Sequence, residues 1–189
     1  MSSPDADLVR RAVDGDDAAV AKLLADVHPM IVRYCLARLG RIGGSYASAE
    51  DVAQEVCLAV LAALPRFQDQ GRPFAAFAYG IAARKISETL RAARRRPTSD
   101  GEANPDAPDP AAGPEERALA ADLSARLLRT LNRLPPIQRE VIVLRVAVGL
   151  SASEVATMTG LSATGVRVAQ HRALKRLRSL AVDLVDEVG

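Results

Sequence analysis

Apolar residues recur along this chain every three to four positions, and alternation over any length is absent, so helices are expected throughout. Residues 5–13 suit a short helix ending near Asp14-Gly15, and Asp16 or Asp17 can start the next. Val20, Leu23, Leu24, Val27, Ile31, Tyr34 and Cys35 then mark one helical face as far as Leu39. Pro29 removes an amide from that ladder and is expected to kink or split the helix. The three glycines of residues 40–46 predict a loop. Ser48, with Asp51 three residues on, reads as a capped restart. Ala53, Val56, Cys57, Val60, Leu61 and Leu64 follow as a core stripe. Residues 65–73 are a turn-rich loop holding Phe67. The next helix runs from Phe74 to Arg95, with Phe74, Ala78, Ile81, Ala82, Ile86, Thr89 and Ala93 facing inward.

The periodicity then lapses. Over residues 97–114 prolines alternate with four acidic residues and no base, and no apolar stripe is left to bury. Such a segment is expected to be flexible and extended. Beyond it, residues 115–134 form a helix with Leu119, Leu123, Leu127 and Leu131 at near-heptad spacing. Pro135-Pro136 breaks this helix and begins another, 137–148, which carries Val141, Ile142, Leu144 and Arg145 and ends at Gly149. Ser151 and Glu154 then form a capping box, and Gly160 sits where a left-handed residue stops a helix. Ser162 caps a last helix whose inner face is Val166, Gln170, Ala173, Leu177 and Leu180. Two short helices with a tight turn between them make a helix-turn-helix. The fold class expected is all-α. Two small helical domains, residues 1–96 and 115–189, are joined by a flexible linker, 97–114, and the second carries the helix-turn-helix.

Composition agrees with a helical globular protein, being 49% hydrophobic and only 3% aromatic. A formal net charge of +2 says little, but its distribution says more. Residues 163–180 carry five Lys or Arg and no acid. The N-terminus is acidic and lacks an apolar signal core, and the longest apolar run, Val56 to Leu64, is too short for a span. A cytoplasmic protein without membrane insertion is expected. Cys35 and Cys57 sit on apolar faces and read as reduced, buried thiols. With only His28 and His171 besides, they make no zinc pattern. No cofactor motif occurs.

Three surfaces carry candidate chemistry. On the helix after residue 48, Asp51, Gln54, Glu55, Leu58 and Ala62 oppose the core stripe. Leu58 should point outward beside acids, which suits a protein-binding spot. The plain alternative is a cap and a solvated face. On the next helix Phe77, Arg84, Glu88, Arg91 and Arg95 share one edge. A ring followed by arginines suits single-stranded nucleic acid, bases stacking while guanidinium groups hold phosphates. A core aromatic beside solvated arginines is the other reading. On the last helix Arg167, Val168, His171, Arg172, Lys175, Arg176 and Arg178 face away from the apolar side. With the helix-turn-helix spacing, one-signed charge favours a recognition helix in the major groove over a merely solvated face.

Taken together, these parts resemble a bacterial RNA polymerase sigma factor of the extracytoplasmic-function (ECF) group, the minimal two-domain members of the sigma-70 family. Asp51-Val52-Ala53-Gln54-Glu55-Val56-Cys57 is similar to that family's D-x-x-Q-E-x-F helix, with Cys57 replacing the aromatic. Leu134 to Val141 resembles its L-P-x-x-Q-R-E-V signature. Gly149-Leu150-Ser151, Glu154-Val155-Ala156, Gly160, Ser162, Val166, Arg172-Ala173 and Leu177 match its helix-turn-helix.

The resemblance implies a non-catalytic initiation subunit that binds core RNA polymerase, at its largest-subunit clamp and its flap, and directs promoter-specific initiation. Asp51, Gln54, Glu55 and Leu58 would meet the clamp. Phe67, Phe77, Arg84, Arg91 and Arg95 would meet the −10 element, where a base leaves the stack and is held. Ser162, Thr164, Arg167, Val168, His171, Arg172, Lys175, Arg176 and Arg178 would meet the −35 element as duplex. An anti-sigma partner is implied as well. Arg84 and Phe77 stand where the family often has asparagine and tryptophan, and Val168 and Ala169 where serine and arginine are common. Gln170 replaces a core leucine and is expected to be partly exposed or hydrogen-bonded, since an unpaired buried amide costs up to a few kcal/mol. The alternative is a helix-turn-helix regulator with an N-terminal sensor or dimerisation domain, which has no need of a single-strand platform. An enzyme is disfavoured, because no nucleophile, histidine or metal set accompanies Asp51 and Glu55.

Overall fold

Helices α1 (Ala6–Val13) and α2 (Asp17–Leu39) open the computed structural model, which describes residues 5–40, 47–69, 71–95 and 114–186. Asp5 caps α1 and Asp16 caps α2, the latter accepting from the Ala19 amide at 3.1 Å. Arg11 donates to the second oxygen of Asp16 at 2.9 Å, tying the end of α1 to the start of α2. That bond is the main reason the Asp16 carboxyl lies below its ordinary pKa. Of the two outcomes expected at Pro29, a kink or a split, the split does not occur, and α2 runs through it. Val27, Met30 and Ile31 around it are all buried, and packing holds the helix where one backbone bond is missing.

Helix α3 (Ala47–Ala63) begins one residue before Ser48, which lies inside its first turn. A 3-10 turn, Leu64–Arg66, follows, and then α4 (Phe74–Arg95). The first unit's core is built from Leu23, Val27, Ile31, Tyr34 and Cys35 of α2, Val52, Ala53, Val56 and Val60 of α3, and Phe74, Ala78, Ala82 and Ile86 of α4. Leu61, expected in the stripe of α3, is 40% exposed. It stands one position past buried Val60, about 100° further round the helix, and falls beside Leu58 instead.

The second unit consists of α5 (Pro114–Asn132), α6 (Pro136–Ile142), a π-turn (Val143–Ala147), α7 (Ala152–Thr159) and α8 (Ala163–Asp186). The chain divides into two compact units, Met1–Asp109 and Pro110–Gly189, and no strand occurs among the described residues. All but Gly40 of the expected loop at 40–46, and nearly all of the expected linker, lie outside the described residues. Leu131, Leu134, Ile142 and Ala173 pack together, with Leu174 and Leu177 against them. Leu119, Leu123 and Leu127, earlier on the leucine row of α5, are exposed.

The helix expected over 137–148 is not uniform. Its second half is the π-turn, closed by the Val148 amide on the Val143 carbonyl at 3.0 Å. Val141, Ile142, Val143 and Leu144 are buried in succession, more than the stripe of a regular helix would bury.

The helix-turn-helix has the expected caps. Ser151 Oγ accepts from the Glu154 amide at 3.2 Å, and Glu154 Oε2 accepts from the Ser151 amide at 2.7 Å. Gly160 has φ of 76°, and its amide bonds the Ala156 carbonyl at 2.9 Å. Ser162 Oγ accepts from the Gly165 amide at 3.0 Å. A Cβ at Gly165 would lie 3.2 Å from that oxygen, tight enough that a side chain there would press on the cap.

Candidate protein and nucleic-acid interfaces

Helix α3 turns Asp51, Gln54, Glu55 and Leu58 to solvent because Val52, Ala53, Val56 and Val60 take its other side into the core. Leu58 is 65% exposed, and Leu61 one turn further on extends the apolar spot. Glu55 is not simply solvated. Its Oε2 accepts from Lys85 Nζ of α4 at 2.6 Å. The same bond, with the charge of Glu55, holds Lys85 above the ordinary lysine pKa. Acids around an exposed leucine can dock a cationic partner with an apolar contact at its centre. Lys85 was not singled out from the sequence, and Leu61 was assigned there to the core stripe. The position of Leu61, three residues after Leu58, was the available signal; the pairing of Lys85 had none.

Phe67, Phe74 and Phe77 gather where the loop before α4 meets its first turns. Phe67 lies 5.3 Å from Phe74 and 5.0 Å from Phe77, both edge-on, and Phe74 lies 5.5 Å from Phe77. Phe74 is buried, while Phe67 and Phe77 are half-buried. Each therefore keeps some surface for a ligand, in a position fixed by its neighbours. A hollow of about 300 Å³ opens beside Phe67, lined also by Ala6, Val9, Arg10, Val13 and Asp69. The part played by α1 in this hollow was not foreseen. Seven and fourteen residues after Phe77 come Arg84 and Arg91, both exposed. Arg84 donates to Glu88 at 3.0 Å, which lowers the Glu88 pKa, and Arg91 Nε donates to the Ser87 carbonyl at 3.1 Å. The side chain of Arg95 lies outside the described residues.

Helix α8 buries Val166 and Ala173 and half-buries Gln170 and Leu177, as its sequence pattern predicts. Ser162, Thr164, Arg167, Val168, His171, Arg172, Lys175, Arg176 and Arg178 are all exposed. Among the described residues no carboxylate pairs with the cations of this row. Gln170 is hydrogen-bonded, as expected of an amide in a leucine's place. Its Oε1 accepts from Arg145 Nε at 3.0 Å. A capped helix start, free cations and a one-sided apolar anchor together can track a duplex backbone and present side chains to base edges.

The chain matches the family model of sigma-70 region 2 over residues 23–96 and that of sigma-70 region 4 over residues 124–177. It is 53% identical over 178 residues to the ECF RNA polymerase sigma factor ShbA of Streptomyces griseus, covering 92% of this chain and 93% of that one. It is 50% identical to the ECF sigma factor SigD of Mycobacterium tuberculosis over 171 residues, covering 90% and 81%. The chain belongs to the ECF group of RNA polymerase sigma factors.

A solved structure of CnrH in complex with the cytosolic domain of CnrY is 27% identical to this sigma factor. It covers 93% of this chain and 96% of that chain, with a TM-score of 0.67. As a sigma factor the protein serves promoter-directed transcription initiation by RNA polymerase. The region 2 match takes in most of α2 with α3 and α4, and the region 4 match takes in α6 and α7 with much of α8. Helix α1, whose residues line the hollow at Phe67, precedes the first match. Among the described residues no helix is long and apolar enough to cross a membrane.

Proposed function

We propose that this sigma factor divides its work between its two helical domains, residues 1–96 and 115–189, across the linker 97–114. The first binds the polymerase clamp through Asp51, Gln54, Glu55 and Leu58. It also holds the melted −10 strand through Phe67, Phe77, Arg84, Arg91 and Arg95. The second reads the −35 duplex. Arg167, Val168, His171 and Arg172 lie nearest the bases, Lys175, Arg176 and Arg178 lie along phosphates, and Ser162 and Thr164 stand at the helix start.

The observation that carries this reading is the exposed face of α8. Its cations have no carboxylate partner among the described residues, and they ride on a helix anchored from behind by Val166 and Ala173. The fixed aromatic cluster at Phe67 and Phe77 supports the single-strand assignment. The protein acts in the cytoplasm and performs no chemistry of its own, leaving catalysis to the core enzyme. An anti-sigma factor keeps it silent by covering its polymerase-facing surfaces. Run-off transcription with purified core polymerase on a promoter library tests the reading. Defined starts should appear only when this protein is added, and a protein that neither joins core nor directs a start refutes it.

A further inference from the structure

Arg145 belongs to the π-turn, before the helix-turn-helix begins, yet its side chain reaches into the motif twice. Its Nε donates to Gln170 Oε1, in the first half of α8, at 3.0 Å, and its Nη1 donates to the Leu150 carbonyl, just ahead of the Ser151 cap of α7. Gly149, with φ of 85°, turns the backbone so that the Leu150 amide returns to the Leu144 carbonyl at 3.0 Å, placing residue 150 beside the π-turn. One planar, rigid guanidinium thus joins the start of the first motif helix to the first half of the second.

The rest of the inner face of α8, with Val166, Ala173, Leu174 and Leu177, is apolar. Apolar packing tolerates small rotations of a helix, whereas two hydrogen bonds from one fork do not. Gln170 lies three residues after Arg167 and just before His171 and Arg172. A roll of about 10° about the axis of α8 moves side chains at its rim, 5–6 Å out, by about 1 Å. Base contacts tolerate about half that displacement.

We propose that Arg145 and Gln170 are positioning residues for promoter reading. Their bond, with the bond of Arg145 to Leu150, sets the rotation of the recognition helix and hence which base edges Arg167, His171 and Arg172 reach. Neither residue touches DNA in this role. The inference rests on the assignment of α8 to the −35 element.

The test uses holoenzyme assembled from core polymerase and the full chain. The probes are a duplex carrying the −35 region of a promoter recovered by run-off transcription with wild-type protein, and the same duplex with that region scrambled. Gln170→Leu and Arg145→Met should each lower the affinity ratio of true to scrambled duplex by about tenfold. The double variant should lose no more than either single one. Affinity for scrambled duplex, its salt dependence and the helical melting profile should stay near wild type for Gln170→Leu, which keeps the face of α8 apolar. Gln170→Glu, which retains an acceptor, should keep the ratio. A folded Gln170→Leu variant with the wild-type ratio overturns the positioning role alone. Wild-type protein that fails to separate the two duplexes overturns the −35 assignment, and this inference with it.

Discussion

Glu55 Oε2 lies 2.6 Å from Lys85 Nζ, so α4 holds one of the four side chains of α3 that we propose meet polymerase. The pair is exposed enough that its own strength is small. Its effect is to aim the carboxylate and to compete with a cationic partner for it. Glu55→Ala with Leu58→Ala should weaken binding to core polymerase, with Leu58 contributing about 1–2 kcal/mol as an apolar anchor. The melting profile should barely move, since both side chains are outside the core. Lys85→Met should act in the opposite direction, tightening core binding by less than about fivefold. Titration of labelled protein with core enzyme measures both, and equal affinities across the series would remove Glu55 from the interface.

Arg172→Ala should cost about 1–3 kcal/mol of −35 affinity if its guanidinium pairs with a base edge, with relaxed preference at one position. Lys175→Ala should weaken binding to all duplexes alike and reduce the salt slope by about one. Competition binding across single-base variants separates the two behaviours.

The capping box of α7 makes the second unit sensitive to acid. Burial pushes the Glu154 pKa up. The Ser151 hydroxyl and amide outweigh this, with help from the charge of Arg145, and hold it below the ordinary carboxylate value. A carboxyl lowered on folding stabilises above its unfolded pKa, and that contribution is lost as pH falls through the folded value. Stability of the second unit should therefore decline below about pH 4.5, and Glu154→Gln should flatten the decline. Ser151→Ala should cost about 1 kcal/mol at neutral pH. Denaturant melts between pH 3 and 7 follow both.

Burial pushes the Cys35 thiol up to about 12, with the neighbouring Cys57 adding to the shift, and Cys57 is raised by burial as well. Native protein at pH 8 should react with thiol reagents far more slowly than unfolded protein, Cys35 slowest. For an acid raised on folding the stabilisation is complete below the unfolded pKa, near 9, and drains as pH climbs toward 12. Cys35→Ala should reduce the alkaline part of that loss.

Cleavage between residues 100 and 113 should release two fragments that each keep helical structure and melt cooperatively. A fragment that unfolds on release would contradict the proposed domain division. Circular dichroism of the separated pieces measures it.

Much of the second unit could be read directly from the chain, because its signals are local. Ser151, Glu154 and Gly160 act within one or two turns of backbone, and their bonds appear where the spacing puts them. The alternation of Val166 and Ala173 with exposed cations needs only the helical repeat. The same holds for Asp51, Glu55 and Leu58, whose outward direction follows from the buried residues between them.

Other features depend on groups that meet only after packing. The helical repeat puts Val27 and Ile31 on the inner face, but it does not say that their packing, with that of Met30, carries the helix past Pro29. Leu61 is an apolar residue at an angle either face could claim, and the edge of the α3 contact leaves it outside. The helix after Pro136 passes into a π-turn at Val143, where buried residues follow one another, and Arg145 reaches out from that turn. Glu55 meets Lys85, Phe67 meets Phe77, and Arg145 meets Gln170 across ten to thirty residues of chain. Short-range rules govern where a helix starts, stops and turns its apolar side. Which outward groups end up as neighbours depends on how the helices dock, and docking is set by shape and burial summed over the whole unit.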